Sequence, residues 1–284
     1  MIFIWTALLM FVQILFGSCS TAEANKANIP HVTANTSSDG ATIEKRFPVP
    51  DGFERIPVDP LSFGHFLRNL PLHPQGSVVR YYNGEKKENR DVYAAVVNLP
   101  IGKRDLHQCA DAVMRLRADY LRSQNRSNEI QFKFTNGFNA MYSKWMQGDR
   151  IQVSGNNCQW TKGGEKGDSD GEYWKYLEMV WNYAGTLSLS KELLPQTWNE
   201  MKIGDVLIQG GSPGHAVIVV DMAENKNTHE KIYMLAQSYM PAQEIQILLN
   251  PLSPQGHVWY SMNTEYSIET PEWTFEKKQL KKFL

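Results

Sequence analysis

Residues 204–221 read GDVLIQGGSPGHAVIVVD, and this stretch decides the fold. Its β-branched runs predict two strands, over 205–209 and 215–222, because such residues are favoured in sheets. The glycines between the runs predict a tight turn, since glycine adopts backbone conformations that other residues avoid. The second run is apolar without alternation, which is typical of a strand buried on both faces. His215 opens this buried strand directly after Gly214.

A second informative stretch is QCADAVMRLRADYL at residues 108–121. Its apolar residues recur with helical spacing and predict the strongest helix of the chain, over 104–124, with Asp105 as the N-cap. Cys109 lies near the start of this helix. Backbone amides at a helix N-terminus favour a thiolate and lower the thiol pKa, and a thiolate is the nucleophile of cysteine catalysis. Cys109 is therefore the candidate nucleophile.

Two further polar residues complete a candidate catalytic set. A cysteine nucleophile needs a base, and the base needs a group that orients it. His215 is the candidate base. Gln237, on a strand predicted over 231–238, is the candidate acceptor of a hydrogen bond from the imidazole. Because Cys109 and His215 lie far apart in sequence, only the fold can bring them together.

These segments resemble the papain-like cysteine peptidase superfamily, especially its CHAP and NlpC branches. Gln108-Cys109 and the following helix are similar to the Gln-Cys-helix signature of CHAP domains. Residues 204–219 resemble the block in which Gly-Asp precedes a strand and Gly-His opens the next. The resemblance implies an α+β fold, with a helix that carries the cysteine and an antiparallel sheet that carries the histidine.

The same resemblance implies a cysteine hydrolase, since enzymes of these branches cut amide bonds in bacterial cell-wall peptides. Cys109 would attack an amide carbonyl. His215 would take the thiol proton and then protonate the leaving amine, while Gln237 would orient the imidazole. The backbone N–H of Cys109, with that of Gln108, would hold the oxyanion.

The first residues have the features of an export signal. Residues 1–18 contain no charged side chain and end in small residues, which is typical of a signal peptide that is removed. LFGSC at residues 15–19 resembles the lipobox of bacterial lipoproteins, in which the cysteine becomes the acylated first residue. Residues 19–42 are rich in Ser, Thr, Asn and Ala without apolar periodicity, so they predict a flexible tether.

The whole chain also resembles a family of bacterial lipoproteins of unassigned function. The segments GHAVIVVDMAEN (214–225) and LAQSYMPAQEIQIL (235–248) carry this resemblance. It implies a membrane partner through a lipid on Cys19, and a location in the bacterial cell envelope outside the cytoplasm. A cell-wall peptide is then the substrate that the two resemblances together imply.

The remaining sequence predicts two packed parts. Residues 43–103 predict an N-terminal lobe, with a hairpin of strands at 77–82 and 92–99. Residues 104–284 predict the papain-like core. Within this core, the Gly- and Asp-rich residues 147–171 predict an insertion at the surface.

The composition excludes several classes of function. The chain has 29 Lys and Arg against 30 Asp and Glu, a formal net charge of −1. This balance gives no general attraction for nucleic acid. No set of His and Cys has the spacing of zinc ligands, and no motif implies a cofactor, so we expect neither.

Two interpretations without catalysis stay open at this point. One is a surface lipoprotein that keeps the scaffold and binds glycan or peptide. The other is a structural envelope protein in which Cys109 and Cys158 form a disulfide, since the compartment lies outside the cytosol. A buried Cys109 acting as a small hydrophobic residue fits the first interpretation. The sequence does not give the bond that is cut or the oligomeric state.

Overall fold

The computed structural model describes residues 40–253 and 256–284. The predicted signal peptide at 1–18, the predicted lipid site at Cys19 and nearly all of the predicted tether lie outside these described residues.

The described residues form six α-helices and fifteen strands. The α-helices are α1 (Ile43–Arg46), α2 (Phe63–Arg68), α3 (Cys109–Ser123), α4 (Tyr142–Met146), α5 (Asp170–Tyr183) and α6 (Thr186–Glu192). The strands are β1 (Phe53–Arg55), β2 (Tyr93–Val96), β3 (Gln131–Lys133), β4 (Asn139–Met141), β5 (Asp149–Ser154), β6 (Asn157–Lys162), β7 (Leu194–Pro195), β8 (Val206–Gln209), β9 (His215–Asn225), β10 (Lys231–Gln237), β11 (Gln246–Leu248), β12 (Tyr260–Ser261), β13 (Ser267–Glu269), β14 (Thr274–Glu276) and β15 (Leu280–Lys282).

The fold is mixed α+β, and its centre is an antiparallel sheet. The strands follow the order β2, β11, β10, β9, β8, β15, β7, while β1 also pairs with β9 and β12 with β10. The strands predicted at 205–209, 215–222 and 231–238 are β8, β9 and β10, and consecutive members of the three are paired. Antiparallel pairing places the end of β10 beside the start of β9.

Strand β9 is buried on both faces. Ala216, Ile218 and Val220 belong to the core that α3 covers. Val217 and Val219 belong to a second core on the opposite face, together with side chains from β13, β14 and β15. This double burial is the physical reason that the stretch is apolar without alternation.

Helix α3 packs across β9 and covers the first of these cores. Val113 and Leu116 on its apolar stripe are at most 1 % exposed, and Tyr120 is 5 % exposed. Because the stripe recurs every three to four residues, one side of the helix faces the sheet along its length. The helix predicted from the amphipathic pattern is therefore present, although it begins at Cys109 rather than near residue 104.

The hairpin predicted for 77–82 and 92–99 is wrong. Of the two runs, only β2 forms a strand, and it pairs with β11. The first run instead contacts the loop after β10, where the N–H of Tyr82 donates to the carbonyl of Ala242 at 2.8 Å. Lys87, between the runs, is only 4 % exposed. Lys87 thus turns inward, while the neighbouring charged residues of this segment are exposed.

The predicted N-terminal lobe and the predicted surface insertion both contain β-strands. Residues 43–103 supply two strands to the main sheet, since β1 pairs with β9 and β2 with β11. Residues 147–171 contain the hairpin β5–β6. The division of the chain at residue 103 stays a prediction.

A buried carboxylate joins the N-terminal segment to β9. Asp221 is fully buried, and its two oxygens accept hydrogen bonds from Arg55 Nε at 2.8 Å and Arg68 Nε at 2.6 Å. Arg55 belongs to β1 and Arg68 ends α2, so one side chain connects three elements. Removing one partner of such a cluster leaves buried charge without compensation, which is strongly destabilising.

We predict that Asp221→Asn lowers the free energy of unfolding by about 3–5 kcal/mol, because both guanidinium groups lose their counter-charge. Urea unfolding at pH 7 measures this. Glu224→Gln on the same strand is the matched control. Glu224 Oε1 lies 2.9 Å from Nδ1 of His229, and the side chain of His229 is exposed. We expect that variant to lose less than about 1 kcal/mol. Equal losses in the two variants would contradict the role of Asp221.

Candidate active site

Helix α3 begins at Cys109, later than the sequence predicts. Gln108 is its N-cap, so the assignment of Asp105 as the cap is wrong. The N–H of Gln108 donates to Asp111 Oδ2 at 3.0 Å, which closes the first turn. Asp105 Oδ1 instead accepts from Gln108 Nε2 at 3.1 Å and from the N–H of Ala242 at 2.7 Å. The later start makes Cys109 the first helical residue.

The start of α3 is fastened to the end of β10. Ser238 Oγ lies 2.9 Å from the carbonyl oxygen of His107 and 2.7 Å from that of Gln243. Ser238 is fully buried and directly follows Gln237, the last residue of β10. These contacts hold Gln237 beside the segment that carries Cys109.

The glycine turn delivers His215 to the same end of the sheet. His215 is the first residue of β9 and lies opposite Gln209 of β8. A Cβ on Gly214 would approach the carbonyl oxygen of Gly211 and Thr186 Oγ1 to 2.5 Å. Only glycine leaves room for this close approach, so the backbone can pass here and place His215 at the start of β9.

The imidazole of His215 is enclosed and held in one orientation. Its Nε2 lies 2.7 Å from Gln237 Oε1, and both residues are only 1 % exposed. Three aromatic rings surround it, with centroids at 4.8 Å for Tyr239, 5.4 Å for Trp273 and 5.9 Å for Phe275. Since Gln237 engages Nε2, the other ring nitrogen, Nδ1, is the one available for proton transfer.

Cys109 borders a cleft of ≈ 260 Å³ between the start of α3 and the glycine turn. Its residue exposure is 6 %. The backbone N–H of Ala216, the residue after His215, is close enough to favour the thiolate. In this part of the described chain, the thiol and the imidazole are not hydrogen-bonded to each other. Catalytic hydrogen bonds often tighten only when substrate binds.

Burial dominates the electrostatics of the thiol. It raises the pKa of Cys109 to about 11, and Asp111 acts in the same direction, while the N–H groups of Ala110 and Ala216 act against it. The rise from 9.0 to about 11 corresponds to about 3 kcal/mol. A helix N-terminus contributes only about 0.3–1 kcal/mol at an exposed site. The lowered pKa that the helix start predicts is therefore wrong.

Burial also keeps the imidazole neutral. It lowers the pKa of His215 to about 4, and the positive charge of Lys87 adds to this effect. The hydrogen bond to Gln237 acts in the opposite direction. At pH 7 the site therefore contains a neutral thiol and a neutral imidazole, and the imidazole is in the protonation state that a general base requires.

Gln108 lies at the cleft but is already engaged. Its backbone N–H, expected to be an oxyanion donor, donates to Asp111, and its side-chain amide donates to Asp105. The structure thus brings Cys109, His215 and Gln237 to one end of the sheet. Gln108 is instead the N-cap of α3.

Two charged residues that were not predicted from the sequence join the site. Glu272 Oε2 accepts a hydrogen bond from Gln237 Nε2 at 2.7 Å. Lys87 Nζ donates to both carboxylate oxygens of Glu272 at 2.8 Å. Lys87 lies in a run of charged residues that is typical of a solvated loop, and Glu272 follows a proline in a turn. No local pattern in the sequence marks either of them.

The two described cysteines are free. Cys109 is buried, and Cys158 is half-buried on β6. Cys158 Sγ accepts a hydrogen bond from Asn136 Nδ2 at 3.1 Å. The disulfide of the structural interpretation is therefore not formed in this structure.

The fold and the site together define an α+β protein in which buried Cys, His and Gln side chains lie at one end of an antiparallel sheet. Residues 43–282 match the family described as "Domain of unknown function (4846)", and the chain belongs to this family. A family of unassigned function is consistent with the resemblance of the whole chain. No curated protein and no solved structure matched it. Within residues 40–253 and 256–284, no helix has the length and apolarity that crossing a bilayer requires.

We predict that iodoacetamide alkylates Cys109 slowly at pH 7 and faster as the pH rises. Because the thiol pKa is raised to about 11, the thiolate fraction grows about tenfold per pH unit up to that value. Short pulses of reagent, followed by mass spectrometry of each cysteine peptide, measure the rate from pH 6 to 10.

Cys158 is the internal reference, since it is more exposed in the same molecule. We expect it to react faster than Cys109 at pH 8. A Cys109 rate that has already levelled off below pH 7 would show a preformed thiolate and contradict the electrostatics described here.

Proposed function

We propose that this protein is a cysteine hydrolase with a papain-like core, acting on an amide bond of a cell-wall type peptide. One observation carries the proposal. Cys109 at the first residue of α3 and His215 at the first residue of β9 converge at one end of the sheet, where Gln237 holds the imidazole at 2.7 Å. A nucleophile, a base and an orienting group are the three parts that cysteine-dependent acyl transfer requires, and this supports the proposal.

The reaction follows from these positions. Cys109 Sγ attacks the amide carbonyl carbon while its proton passes to Nδ1 of His215. The carbonyl oxygen becomes an oxyanion, and the backbone N–H of Cys109 supports it. His215 then returns the proton to the leaving amine, which departs and leaves a thioester. Water, deprotonated by His215, hydrolyses the thioester and restores the thiol.

Because Cys109 and His215 are buried and neutral, the bound substrate has to stabilise the charges that proton transfer between them creates. Charge separation between Cys109 and His215 is unfavourable while the site is empty, because burial raises one pKa and lowers the other. An oxyanion forming beside the helix N-terminus provides the electrostatic partner that makes proton transfer favourable in the transition state. The chemistry is thereby tied to bound substrate.

We place the hydrolase in the bacterial cell envelope, as a lipoprotein. Residues 1–18 supply the signal peptide and Cys19 the acylated residue, both outside the described residues. The tether at 19–42, with an average reach of about 27 Å as a random coil, would hold the domain clear of the lipid surface. In this compartment the substrate at hand is the peptide part of the cell wall.

A second candidate is a surface lipoprotein that binds a peptide or glycan without cutting it. Two observations favour it. The pKa of Cys109 is raised, and the thiol is not hydrogen-bonded to His215. Under this interpretation the cleft beside Cys109 is a binding site, and replacing the thiol leaves binding unchanged.

We predict that Cys109→Ala abolishes release of peptide fragments from purified peptidoglycan and its soluble peptides. His215→Ala removes the general base and lowers the rate about 10²–10⁴-fold. Gln237→Ala only frees the orientation of the ring, so we expect a smaller loss. Mass spectrometry of the new amine and carboxyl ends measures the rate, and the mass of a trapped thioester on Cys109 identifies the nucleophile.

Cys158→Ser is the matched control, because Cys158 lies on β6 away from this cleft. We expect it to keep full activity. Equal rates for wild type and Cys109→Ala would sink the hydrolase proposal. Binding of a peptide by both proteins without any cleavage would support the second candidate.

We predict that the protein made in bacterial cells incorporates labelled fatty acid on Cys19. The lipobox-like sequence places the acceptor thiol directly after the signal peptide. Cys19→Ser should lose the label and leave the membrane fraction, while Cys158→Ser should keep both. Absence of label from the wild-type protein would contradict lipid anchoring.

A further inference from the structure

The carboxylate of Glu272 is joined to the candidate site through Gln237. Gln237 is almost fully buried, and its side-chain amide has a different partner at each end. Its Oε1 lies 2.7 Å from His215 Nε2, and its Nε2 lies 2.7 Å from Glu272 Oε2. The amide therefore bridges the imidazole and the carboxylate.

The carboxylate decides which way the bridging amide points. The oxygen and nitrogen ends of a glutamine side chain have nearly the same shape, so the neighbours fix its orientation. An ionised carboxylate only accepts hydrogen bonds, so Glu272 requires the NH₂ end of Gln237. The oxygen end is left for His215. Because that oxygen also only accepts, His215 must carry its proton on Nε2.

Lys87 provides the counter-charge of Glu272. Its Nζ lies 2.8 Å from both carboxylate oxygens. The side chains of Lys87 and Glu272 are 4 % and 19 % exposed, so neither charge is well hydrated. Burial lowers the pKa of Lys87, and the ion pair with Glu272 acts in the opposite direction. Each charge thus depends on the other.

The elements that carry this ion pair also enclose the ring of His215. Glu272 lies in the turn between β13 and β14, and the same hairpin contributes Trp273 and Phe275 to the rings around the imidazole. Lys87 Nζ lies 5.7 Å from the ring centroid of Tyr239, the third of these rings. The ion pair is therefore built into the wall of the imidazole site.

We propose that Glu272 and Lys87 are positioning residues of the candidate active site. As a pair they orient the Gln237 amide and so hold His215 with its proton on Nε2 and with Nδ1 free to accept another. Neither residue borders the cleft beside Cys109. The assignment of Nδ1 as the base rests on the proposed function, whereas the tautomer can be measured without any activity.

Nuclear magnetic resonance of the purified protein, labelled with ¹⁵N in histidine, reads this tautomer. Long-range ¹H–¹⁵N correlations distinguish the two ring nitrogens and show which one carries the proton. His215→Ala identifies the signals of His215 among the 7 histidines. At pH 7 we expect a single neutral form protonated on Nε2. A wild-type ring protonated on Nδ1 would overturn the proposal.

Glu272→Gln tests the cause of the tautomer. This variant removes the carboxylate, which only accepts hydrogen bonds, so the side-chain amide of Gln237 can turn over. We therefore expect His215 to lose its single tautomer and to show a population protonated on Nδ1. Exchanging the pair, with Lys87→Glu and Glu272→Lys together, keeps both charges but presents a donor to Gln237. We expect the proton of His215 to shift to Nδ1.

Glu276→Gln is the matched control for this experiment. It makes the same substitution on β14, where Glu276 is exposed and pairs with exposed Lys278 at 2.7 Å. We expect the tautomer of His215 to remain that of the wild type. An unchanged tautomer in Glu272→Gln overturns the proposal, whether or not the exchanged pair folds.

The two proposals fail in distinguishable ways. If Glu272→Gln shifts the tautomer but hydrolysis does not depend on Cys109 and His215, the proposed function fails and the positioning role stands. If hydrolysis depends on both residues but the tautomer does not respond to Glu272→Gln, only the positioning role fails.

Discussion

The burial of β9 on both faces is the constraint on which the rest of this structure depends. A strand without a solvent face has to be covered twice, and the chain supplies α3 on one side and side chains of β13, β14 and β15 on the other. Both covers reach the start of β9, where His215 lies. Cys109 lies on α3, which covers the first face of β9. Glu272 lies in the turn between β13 and β14, which cover the second face. The candidate site is assembled by the same packing that closes the two cores.

Burial also determines the protonation states that the site can adopt. Desolvation disfavours the thiolate of Cys109 and the imidazolium of His215 alike, so both groups are neutral at pH 7. The charges that are retained nearby, on Lys87 and Glu272, compensate each other. They act on the ring through the polarity of the Gln237 amide, and the positive charge of Lys87 adds to the lowering of the pKa of His215. A catalytic proton transfer must therefore draw its stabilisation from the substrate and from backbone N–H groups.

The local patterns of the sequence predicted the parts of the fold that depend on neighbouring residues. The strands β8, β9 and β10 and the helix α3 follow from runs of β-branched residues and from helical spacing. The start of α3 does not follow from such a pattern, because Asp105 accepts a hydrogen bond from the N–H of Ala242, which is distant in sequence. The hairpin at 77–82 and 92–99 failed for a similar reason, since Lys87 turns inward to Glu272. Contacts between distant residues leave no periodicity in the sequence, so Glu272, the second partner of Gln237, could not be predicted.

The pairing of β1 with β9 has a consequence for the order in which the chain folds. Phe53 lies opposite Asn225, so the first strand of the domain has no partner until most of the chain has been made. Closing so long a loop is entropically costly and slow. Strand β1 therefore cannot take its place in the sheet before β9 has been synthesised. A nascent chain that ends before residue 215 lacks the strand with which β1 and β8 both pair.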